Sequence, residues 1–555
     1  MEENQNKTDA KIKIIRRQEE EEKAQKLASS LNLPYLDLGI VSIDPSVLDI
    51  ISLEQAKNSS SIALRKLGKG VKIAVKNPDD KETKKLLEEL KSLGFSYELF
   101  VVSQSSLESA WKKFERAKEE RKKITKEVKI ESGKIADFQK EINTFKDIGG
   151  KLETAQNMTV TEILEIILAG AIKIDASDVH FEAEEEQIRL RFRIDGVLQD
   201  VTGLPTSIYG SILSRIKIIS ELKINIHNVP QDGRFSIAID NQEIEIRTST
   251  IPAAYGESIV LRILNPNTIG LELKDLGLEK YALEIMEKEL KRPNGMIVNT
   301  GPTGSGKTTT LYAFLKRVSN PEIKVITLEN PIEYHLEGIE QTQVNSDKGY
   351  TFVNGLRAIL RQDPDIILLG EIRDNETAET AIHAALTGHL VFTTLHTNDA
   401  AGAIPRLVDM KVNPTLIPPA LNVVIAQRLV RRVCKYCAEE YKPDEKLLKE
   451  LKDVLKTMPT NIISEYPKLD KKLVILKAGK GCEKCNLSGY KGRIAVIELF
   501  VINREMEKII IKTPSVIDIY EAAIKNGMIT MRQDGILKVL KKVTTLDEVE
   551  KVLGV

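Results

Sequence analysis

Residues 295–315 read GMIVNTGPTGSGKTTTLYAFL, and their pattern predicts the structure of the region around them. The pattern G-x-x-x-x-G-K-T is formed by Gly301, Pro302, Thr303, Gly304, Ser305, Gly306, Lys307 and Thr308. The apolar residues before the pattern predict a buried strand, and TTTLYAFLKRV after Lys307 predicts a helix. A strand, a glycine-rich loop and a helix in this order are the context in which this pattern binds phosphate.

The residue types in the loop indicate a nucleoside triphosphate as the ligand. Glycines allow backbone N–H groups to turn inward around a β-phosphate at the positive end of a helix. A lysine at position 307 would neutralise the β- and γ-phosphates, and the Thr308 hydroxyl would coordinate Mg²⁺. We therefore predict an ATP site at residues 301–309, with Thr309 as its last member.

Acidic residues follow two further predicted strands. Glu371 ends the apolar run in DPDIILLGEIRD (363–374), and Glu329 and Glu333 follow the strand in VITLENPIEY (325–334). Ligand chemistry in α/β sheets lies at the carboxyl ends of strands. Glu371 is thus the expected second partner of Mg²⁺. Glu329 or Glu333 would orient the attacking water and accept its proton.

Two histidines flank a third predicted strand, in TGHLVFTTLHT (387–397). We expect His389 and His396 to lie at the ligand end of the sheet and to take part in catalysis.

All four cysteines fall in two C-x-x-C pairs, CKYC (434–437) and GCEKC (481–485). Two such pairs can close a tetrahedral site of four thiolates around Zn²⁺. Because four thiolates leave no open position, the predicted role of the zinc is structural. The predicted ligands are Cys434, Cys437, Cys482 and Cys485.

The composition narrows the class of protein. Lys+Arg and Asp+Glu both total 81, so a nucleic acid or an anionic membrane is not expected as the direct partner. No apolar run approaches the roughly 20 residues of a membrane span, and the charged N-terminus has no signal-peptide pattern. We expect a cytoplasmic protein.

At 555 residues the chain needs several domains. Residues 1–26 form a charged tail, either disordered or helical, and 27–111 a small α/β domain. A charged linker at 112–151 is expected to be mobile, partly helical and to end at a flexible Gly149–Gly150 pair. The remaining predicted regions are a second α/β domain at 152–271, the P-loop domain at 272–427, a cysteine segment at 428–500 and a helical region at 501–555.

The motifs together resemble those of the type II secretion and type IV pilus assembly ATPases, a superfamily of hexameric P-loop motors. The resemblance rests on GPTGSGKTTTLY, LENPIEY, GLRAILRQDPDIILLGEIRD, TGHLVFTTLHTNDA and AQRLVRRVCKYC, and it extends over about residues 27–555. It implies an α/β protein with a RecA-like motor domain, two smaller α/β domains before it, and a Cys₄ zinc segment and helical tail after it. The first of these domains would dock the motor onto its membrane complex.

The resemblance also assigns residues. It makes Glu333 the catalytic carboxylate and Glu371 the holder of the Mg²⁺ water shell, and it matches Arg247 and Arg262 to arginines that reach the nucleotide from the second domain. Asn330 stands where the family usually has an acid. Arginines that would serve in subunit contacts or phosphate sensing are Arg357, Arg361, Arg373 and Arg406. After the cysteine pairs, GYKGRIAVIELF (489–500) predicts a strand, and its Arg493 is expected to contact a neighbouring subunit.

The function that the resemblance implies is Mg²⁺-dependent ATP hydrolysis by a homohexamer beneath the inner membrane. The motor would act on a membrane platform protein and extrude pilin into a type IV pilus. Type II protein secretion is the alternative, and pilus retraction, nucleic-acid translocation and a non-catalytic scaffold are further ones. The family's R-L-G-x-x-L motif for cyclic di-GMP does not occur in LASSLNLPYLDL (27–38), so no binding through that motif is expected.

Overall fold

The computed structural model describes residues 19–38, 51, 53–67, 70–92, 94–108, 110–111, 127–129, 142–153, 158–239, 242–264, 271–512 and 514–554. They form two compact units, Met1–Val128 and Lys129–Val555. A short strand, Glu127–Lys129, lies at the boundary between the units. Within the described ranges, no helix combines the length and apolar composition that crossing a lipid bilayer requires.

The first unit contains a three-stranded sheet. Its strands Ser61–Leu67 and Gly70–Val75 are antiparallel, and Ser96–Val101 joins the second of them in parallel. The parallel connection is made by the helix Lys81–Ser92, whose Leu86, Leu87 and Leu90 are buried because they recur on one helical face. Residues 19–30, which include the end of the predicted charged tail, are helical, and a further helix spans Leu53–Asn58.

A seven-stranded sheet dominates the first part of the second unit. Its six strands that lie wholly in this unit run in the order Gln231–Ile239, Gln242–Ala253, Gly256–Leu264, Ala176–Ala183, Gln187–Ile194 and Val197–Pro205. Along Gln187–Ile194 every second residue is buried, as its alternating sequence predicts. The arginines between them pair with acids on the other face: Arg189 with Asp200, Arg191 with Glu182, and Arg193 with Asp178.

Three helices accompany this sheet, Phe145–Leu152, Val160–Lys173 and Thr206–Ile219. The first of them includes Gly149 and Gly150, so the prediction of a flexible glycine pair at the end of the linker is wrong. Gly149 is buried, and a Cβ there would lie 2.4 Å from the carbonyl oxygen of Val201. The glycine thus permits a close approach of helix and strand. Residues 112–126 and 130–141 of the predicted linker are outside the described residues.

A second seven-stranded sheet forms the P-loop domain. Its order is Glu340–Gln343, Val325–Glu329, Ile366–Leu369, Leu390–Leu395, Gly295–Thr300, Leu421–Val433 and Tyr490–Val501. All neighbours are parallel except the last pair. Its helices are Lys280–Glu289, Lys307–Val318, Phe352–Ile359, Asn375–Leu386, Ala403–Asp409 and Ile417–Ala420. The predicted α/β class is confirmed.

The cysteine segment is inserted between the two antiparallel strands at the edge of this sheet. It contains the paired strands Glu439–Tyr441 and Ile475–Lys477 and the helices Glu445–Leu455 and Thr460–Ile463. The strand Leu421–Val433 continues across the predicted boundary at 427, because it pairs with Tyr490–Val501 over nearly its whole length. The C-terminal region is helical, as predicted, with Arg504–Ile510, Val516–Lys525, Met531–Leu540 and Leu546–Leu553. Short 3₁₀ turns span Leu273–Leu276, Ser346–Lys348 and Glu483–Cys485.

Candidate active site and metal centre

The predicted phosphate loop joins a fully buried strand to a helix. Gly295–Thr300 lies between the parallel strands Leu390–Leu395 and Leu421–Val433, and Lys307 is the first residue of the helix Lys307–Val318. Gly304 and Gly306 adopt the left-handed conformation, with φ of 79° and 88°. Such backbone angles favour glycine, which explains why both positions in the motif are glycines.

Two buried groups in the loop fit an anionic ligand. The ammonium group of Lys307 donates to the carbonyl oxygens of Gly301 at 2.8 Å and Pro302 at 3.1 Å. Burial lowers the pKa of Lys307, and the Glu371 carboxylate opposes this shift. The hydroxyl of Ser305 is buried and has no hydrogen-bond partner among the residues that the structure describes. Phosphate oxygens would satisfy the hydroxyl and compensate the buried positive charge.

Glu371 follows the buried strand Ile366–Leu369, as predicted, and is held between Arg373 and His396. Its carboxylate oxygens lie 2.6 Å from Arg373 and 3.3 Å from Nε2 of His396. The hydrogen bond to Glu371 raises the pKa of Arg373. The Thr394 hydroxyl donates to the carbonyl of Gly370 at 2.7 Å and so ties the turn before Glu371 to the neighbouring strand.

The two glutamates after the strand Val325–Glu329 have different environments. Glu329 is 3% exposed and accepts hydrogen bonds from Tyr312, Thr327 and Gln341. Burial raises the pKa of Glu329, and the three donors counteract this effect. Because the protein already supplies three hydrogen-bond donors to this buried carboxylate, we interpret Glu329 as a structural residue of the site.

Glu333 is partly exposed and contacts the second α/β domain. Its carboxylate lies 2.7 Å from Arg247, whose guanidinium also donates to the carbonyl of Ile332 at 2.6 Å. Arg247 thus reaches the motor domain, as the resemblance implies, but its partner here is the predicted catalytic carboxylate. Arg262, on the neighbouring strand, pairs with Asp178 at 3.0 Å and is half exposed.

A cleft of about 600 Å³ brings most of the predicted site residues together. It is lined by Thr303–Thr309 of the loop and by Arg262, Glu333, Glu371 and His396. Several lining residues were not predicted from the sequence, namely Asp175, Ser177, Tyr334 and Phe352. Arg493 was predicted as a subunit contact, but the structure places it in the cleft. The sequence marks Arg493 only by its position near the start of a predicted strand.

The two histidines lie at opposite ends of their strand. His396 follows Leu390–Leu395 and contacts Glu371, whereas His389 precedes it. The strand is parallel to Gly295–Thr300, so only the His396 end faces the phosphate loop. A strand of this length separates its flanking residues by roughly 20 Å. The prediction that both histidines lie at the ligand end is therefore wrong for His389, which contacts Ala384 O instead.

The four cysteines converge although residues 438–481 lie between the pairs. Their sulfur atoms all lie within 4.8 Å of one another, with Cys434–Cys482 and Cys437–Cys485 distances of 3.8 Å. Four sulfurs bound to zinc at about 2.3 Å would be separated by about 3.8 Å. Backbone N–H groups of Cys482 and Gly489 also donate to the sulfur of Cys485, an outer shell typical of a thiolate ligand. The cluster fits a closed tetrahedral zinc site.

Comparisons with known proteins agree with this architecture. The family model described as "Type II/IV secretion system protein" matches residues 153–551, and the MshEN domain model matches residues 31–121. The "Type II secretion system protein E" of Dickeya dadantii is 41% identical over 79% of this chain and 84% of its own. The "Type IV pilus assembly ATPase PilB" of Myxococcus xanthus is 35% identical over 94% of this chain and 89% of its own.

A solved structure supports the fold independently. The ATPase DotB of Legionella pneumophila superimposes with a TM-score of 0.52 at 20% identity, over 71% of this chain and 95% of its own. The family model covers more than half of the chain, and relatives above 30% identity align over most of both sequences. The chain belongs to the type II/IV secretion system protein family.

Proposed function

We propose that this protein is a Mg²⁺-dependent ATPase that works as a homohexamer and powers the assembly of a type IV pilus. The observation that carries the proposal is the single cleft in which the phosphate loop, Glu333, Glu371 and Arg262 meet. Each of these groups has a distinct task in the transfer of a phosphoryl group to water. The cleft lies between the second α/β domain and the motor, so a movement of one against the other would change its shape.

The loop and the adjacent strand end would bind the nucleotide and its metal ion. Residues 301–309 would surround the phosphates, with the Lys307 ammonium moving from the carbonyls of Gly301 and Pro302 to phosphate oxygens. Thr308 and Glu371 would hold Mg²⁺, which neutralises charge on the β- and γ-phosphates. Arg373 and His396 already fix the Glu371 carboxylate at the strand end.

Glu333 would orient the attacking water and accept its proton. Its present ion pair with Arg247 occupies one carboxylate oxygen. For hydrolysis the guanidinium would leave Glu333 and, together with Arg262, compensate the negative charge of the transferring phosphoryl group. Domain closure would thus free the base and supply the arginines in one movement.

The remaining parts of the proposal concern assembly. The relatives named as pilus assembly ATPases align over 94% and 95% of this chain, including its first domain. This extent supports a role at an inner-membrane platform protein, to which the protein would be bound from the cytoplasm through residues of the first domain. The four cysteines would hold a Zn²⁺ ion that stabilises the inserted segment and takes no part in hydrolysis.

Type II protein secretion is the second candidate, because the relatives of that name are 38–43% identical to this chain, against 35–38% for the pilus assembly ATPases. Both candidates use the same ATPase chemistry. The platform protein that stimulates ATP hydrolysis distinguishes the two candidates. We expect stimulation by the pilus platform protein of the same organism under the first proposal, and by its secretion platform protein under the second.

The direct test is steady-state ATP hydrolysis by the purified wild-type protein and by Lys307→Ala. Mg²⁺ is omitted in one series instead of being chelated, so that the zinc site stays intact. We expect hydrolysis that requires Mg²⁺ and is lost in the variant. Hydrolysis that persists in Lys307→Ala, or none in the wild type with and without a platform protein, would contradict the proposal.

A further inference from the structure

The segment AQRL (426–429) contains a buried glutamine that takes no direct part in the proposed hydrolysis. Gln427 lies on the strand Leu421–Val433 and is 2% exposed. In the parallel pairing with the P-loop strand, Ala426 lies opposite Thr300. The next residue along each strand is Gln427 on one side and Gly301 on the other, so Gln427 lies beside the first residue of the phosphate loop.

The side chain of Gln427 connects both ends of the loop. Its Oε1 accepts one hydrogen bond from the hydroxyl of Thr310 at 2.8 Å and one from the amide of Asn299 at 3.2 Å. Asn299 precedes the loop on its strand, and Thr310 lies in the first turn of the helix after it. A single buried carbonyl oxygen therefore sets the spacing between the strand end and the helix start.

The same residue lies against two of the loop glycines. A Cβ at Gly301 would lie 2.5 Å from the main-chain oxygen of Gln427, and a Cβ at Gly306 would lie 2.9 Å from its Nε2. A main-chain oxygen cannot move aside, so no side chain fits at position 301, whereas a side chain at position 306 would displace the amide of Gln427. The loop thus rests on Gln427 at its first and last glycines, and its shape depends on where that residue is held.

We propose that Gln427 is a positioning residue for nucleotide binding, which acts through the phosphate loop without touching the phosphates. By joining Asn299 to Thr310 it keeps the loop in the open, glycine-lined form into which a β-phosphate fits before any nucleotide arrives. Preorganisation of this kind lowers the free energy that binding must spend on ordering the site. The inference rests on the proposed ATPase function.

The test is Gln427→Leu, which keeps the approximate volume and removes the acceptor. The Kd of the full-length protein for a fluorescent, non-hydrolysable ATP analogue should rise about five- to tenfold, as expected for the loss of one or two neutral hydrogen bonds. The KM for ATP should rise by a similar factor while kcat at saturation stays within about twofold, because the loop binds ground state and transition state alike.

A matched control separates positioning from packing. Gln533 is 3% exposed and also makes buried hydrogen bonds, from its Nε2 to Val454 O at 2.9 Å and to the Thr457 hydroxyl at 2.8 Å, but it lies in the C-terminal helical region. Gln533→Leu should lower the midpoint of thermal unfolding to a similar extent as Gln427→Leu, with an unchanged Kd for the analogue. Thr310→Val removes the donor of one of the two hydrogen bonds to Gln427 Oε1. Its Kd for the analogue provides an independent test if Gln427→Leu folds poorly.

The outcomes are distinct. A raised Kd in Gln427→Leu and Thr310→Val, with less than additive effects when the two are combined, supports the proposal. An unchanged Kd in both variants, or an equal rise in Gln533→Leu, overturns it while the ATPase function stands. A wild-type protein that binds the analogue no better than Lys307→Ala overturns the proposed function, and this inference with it.

Discussion

Removal of one hydroxyl next to Glu329 gives a stringent test of the electrostatics beneath the active site. The OH of Tyr312 donates to the Glu329 carboxylate, which is 3% exposed and has two other donors, Thr327 at 2.6 Å and Gln341 at 3.2 Å. Tyr312→Phe removes this donor, together with the acceptor of a 3.4 Å hydrogen bond from Gln341 Nε2. The ring is retained, and with it the edge-on contact to Tyr334 at 4.7 Å between ring centroids.

The expected magnitude follows from the type of bond. A hydrogen bond to a charged group contributes about 1.5–3 kcal/mol. At about 2–4 °C per kcal/mol for a large domain, the unfolding midpoint should fall by about 3–12 °C. The loss should be at the upper end of this range where Glu329 is ionised, because burial leaves the carboxylate few alternatives to protein donors.

The pH dependence has a definite sign. Burial already raises the pKa of Glu329, and loss of a donor to its ionised form raises that pKa further. A carboxyl whose pKa is raised by folding favours the folded state below its ordinary value of about 4.3, and this contribution is lost as the pH rises through the raised pKa. The difference in stability between Tyr312→Phe and the wild type should therefore be small near pH 5 and increase toward pH 8.

Thermal unfolding followed by circular dichroism at pH 5 and pH 8 measures this difference in stability between Tyr312→Phe and the wild type. Thr327→Val, which removes a second donor to the same carboxylate, should show the same trend. Tyr490→Phe is the control, because the Tyr490 hydroxyl is bonded to a neutral group, the Thr545 hydroxyl at 2.9 Å. A loss in Tyr312→Phe that is independent of pH, or no larger than that of Tyr490→Phe at pH 8, would refute the reasoning.

Three further predictions concern the site and the metal centre. Glu333→Gln should lower kcat for ATP about 10²–10⁴-fold, as for a general base, while the Kd for a non-hydrolysable analogue changes by less than about fivefold; an equal change in both would argue against the assignment. His396→Ala should lower kcat at least about fivefold, since His396 contacts Glu371 at 3.3 Å, whereas His389→Ala should leave kcat within about twofold; comparable losses in both variants would contradict the geometry. Cys485→Ser should abolish stoichiometric zinc in elemental analysis of the desalted protein and lower its unfolding midpoint, and full zinc content in this variant would exclude the four-cysteine site.

The features that the sequence predicted correctly are those that local backbone chemistry determines. The P-loop glycines have the left-handed angles that their pattern requires at Gly304 and Gly306. Glu371 follows an apolar run too short to be anything but a buried strand, and the structure places it at the ligand end. The two C-x-x-C pairs correctly predicted that the four cysteines lie together, because each pair bends the chain around one ion.

The features that the sequence did not predict depend on contacts between distant segments. Periodicity marks His389 and His396 as equivalent neighbours of a strand, and only the parallel pairing with Gly295–Thr300 shows which end faces the loop. Arg247 was expected at the nucleotide, but its pairing with Glu333 depends on the placement of one domain against another.

Glycines and inserted segments were misleading for a similar reason. Two adjacent glycines, Gly149 and Gly150, predict a flexible backbone from the sequence alone. In the structure they lie within a helix, and Gly149 is required there because its backbone lies close to Val201. The return of Tyr490–Val501 to the edge of the motor sheet is not visible across the inserted cysteine segment. This return is also what brings Arg493 into the cleft.

The proposal that this ATPase works as a homohexamer can be tested by measuring the specific ATPase activity as a function of protein concentration. The measurement uses the full-length protein with Mg²⁺, and light scattering reports the mass of the species at each concentration. For a motor that works as a hexamer, we expect activity per chain to rise steeply as hexamers form and then to reach a plateau. Activity per chain that is the same for monomer and hexamer would contradict it.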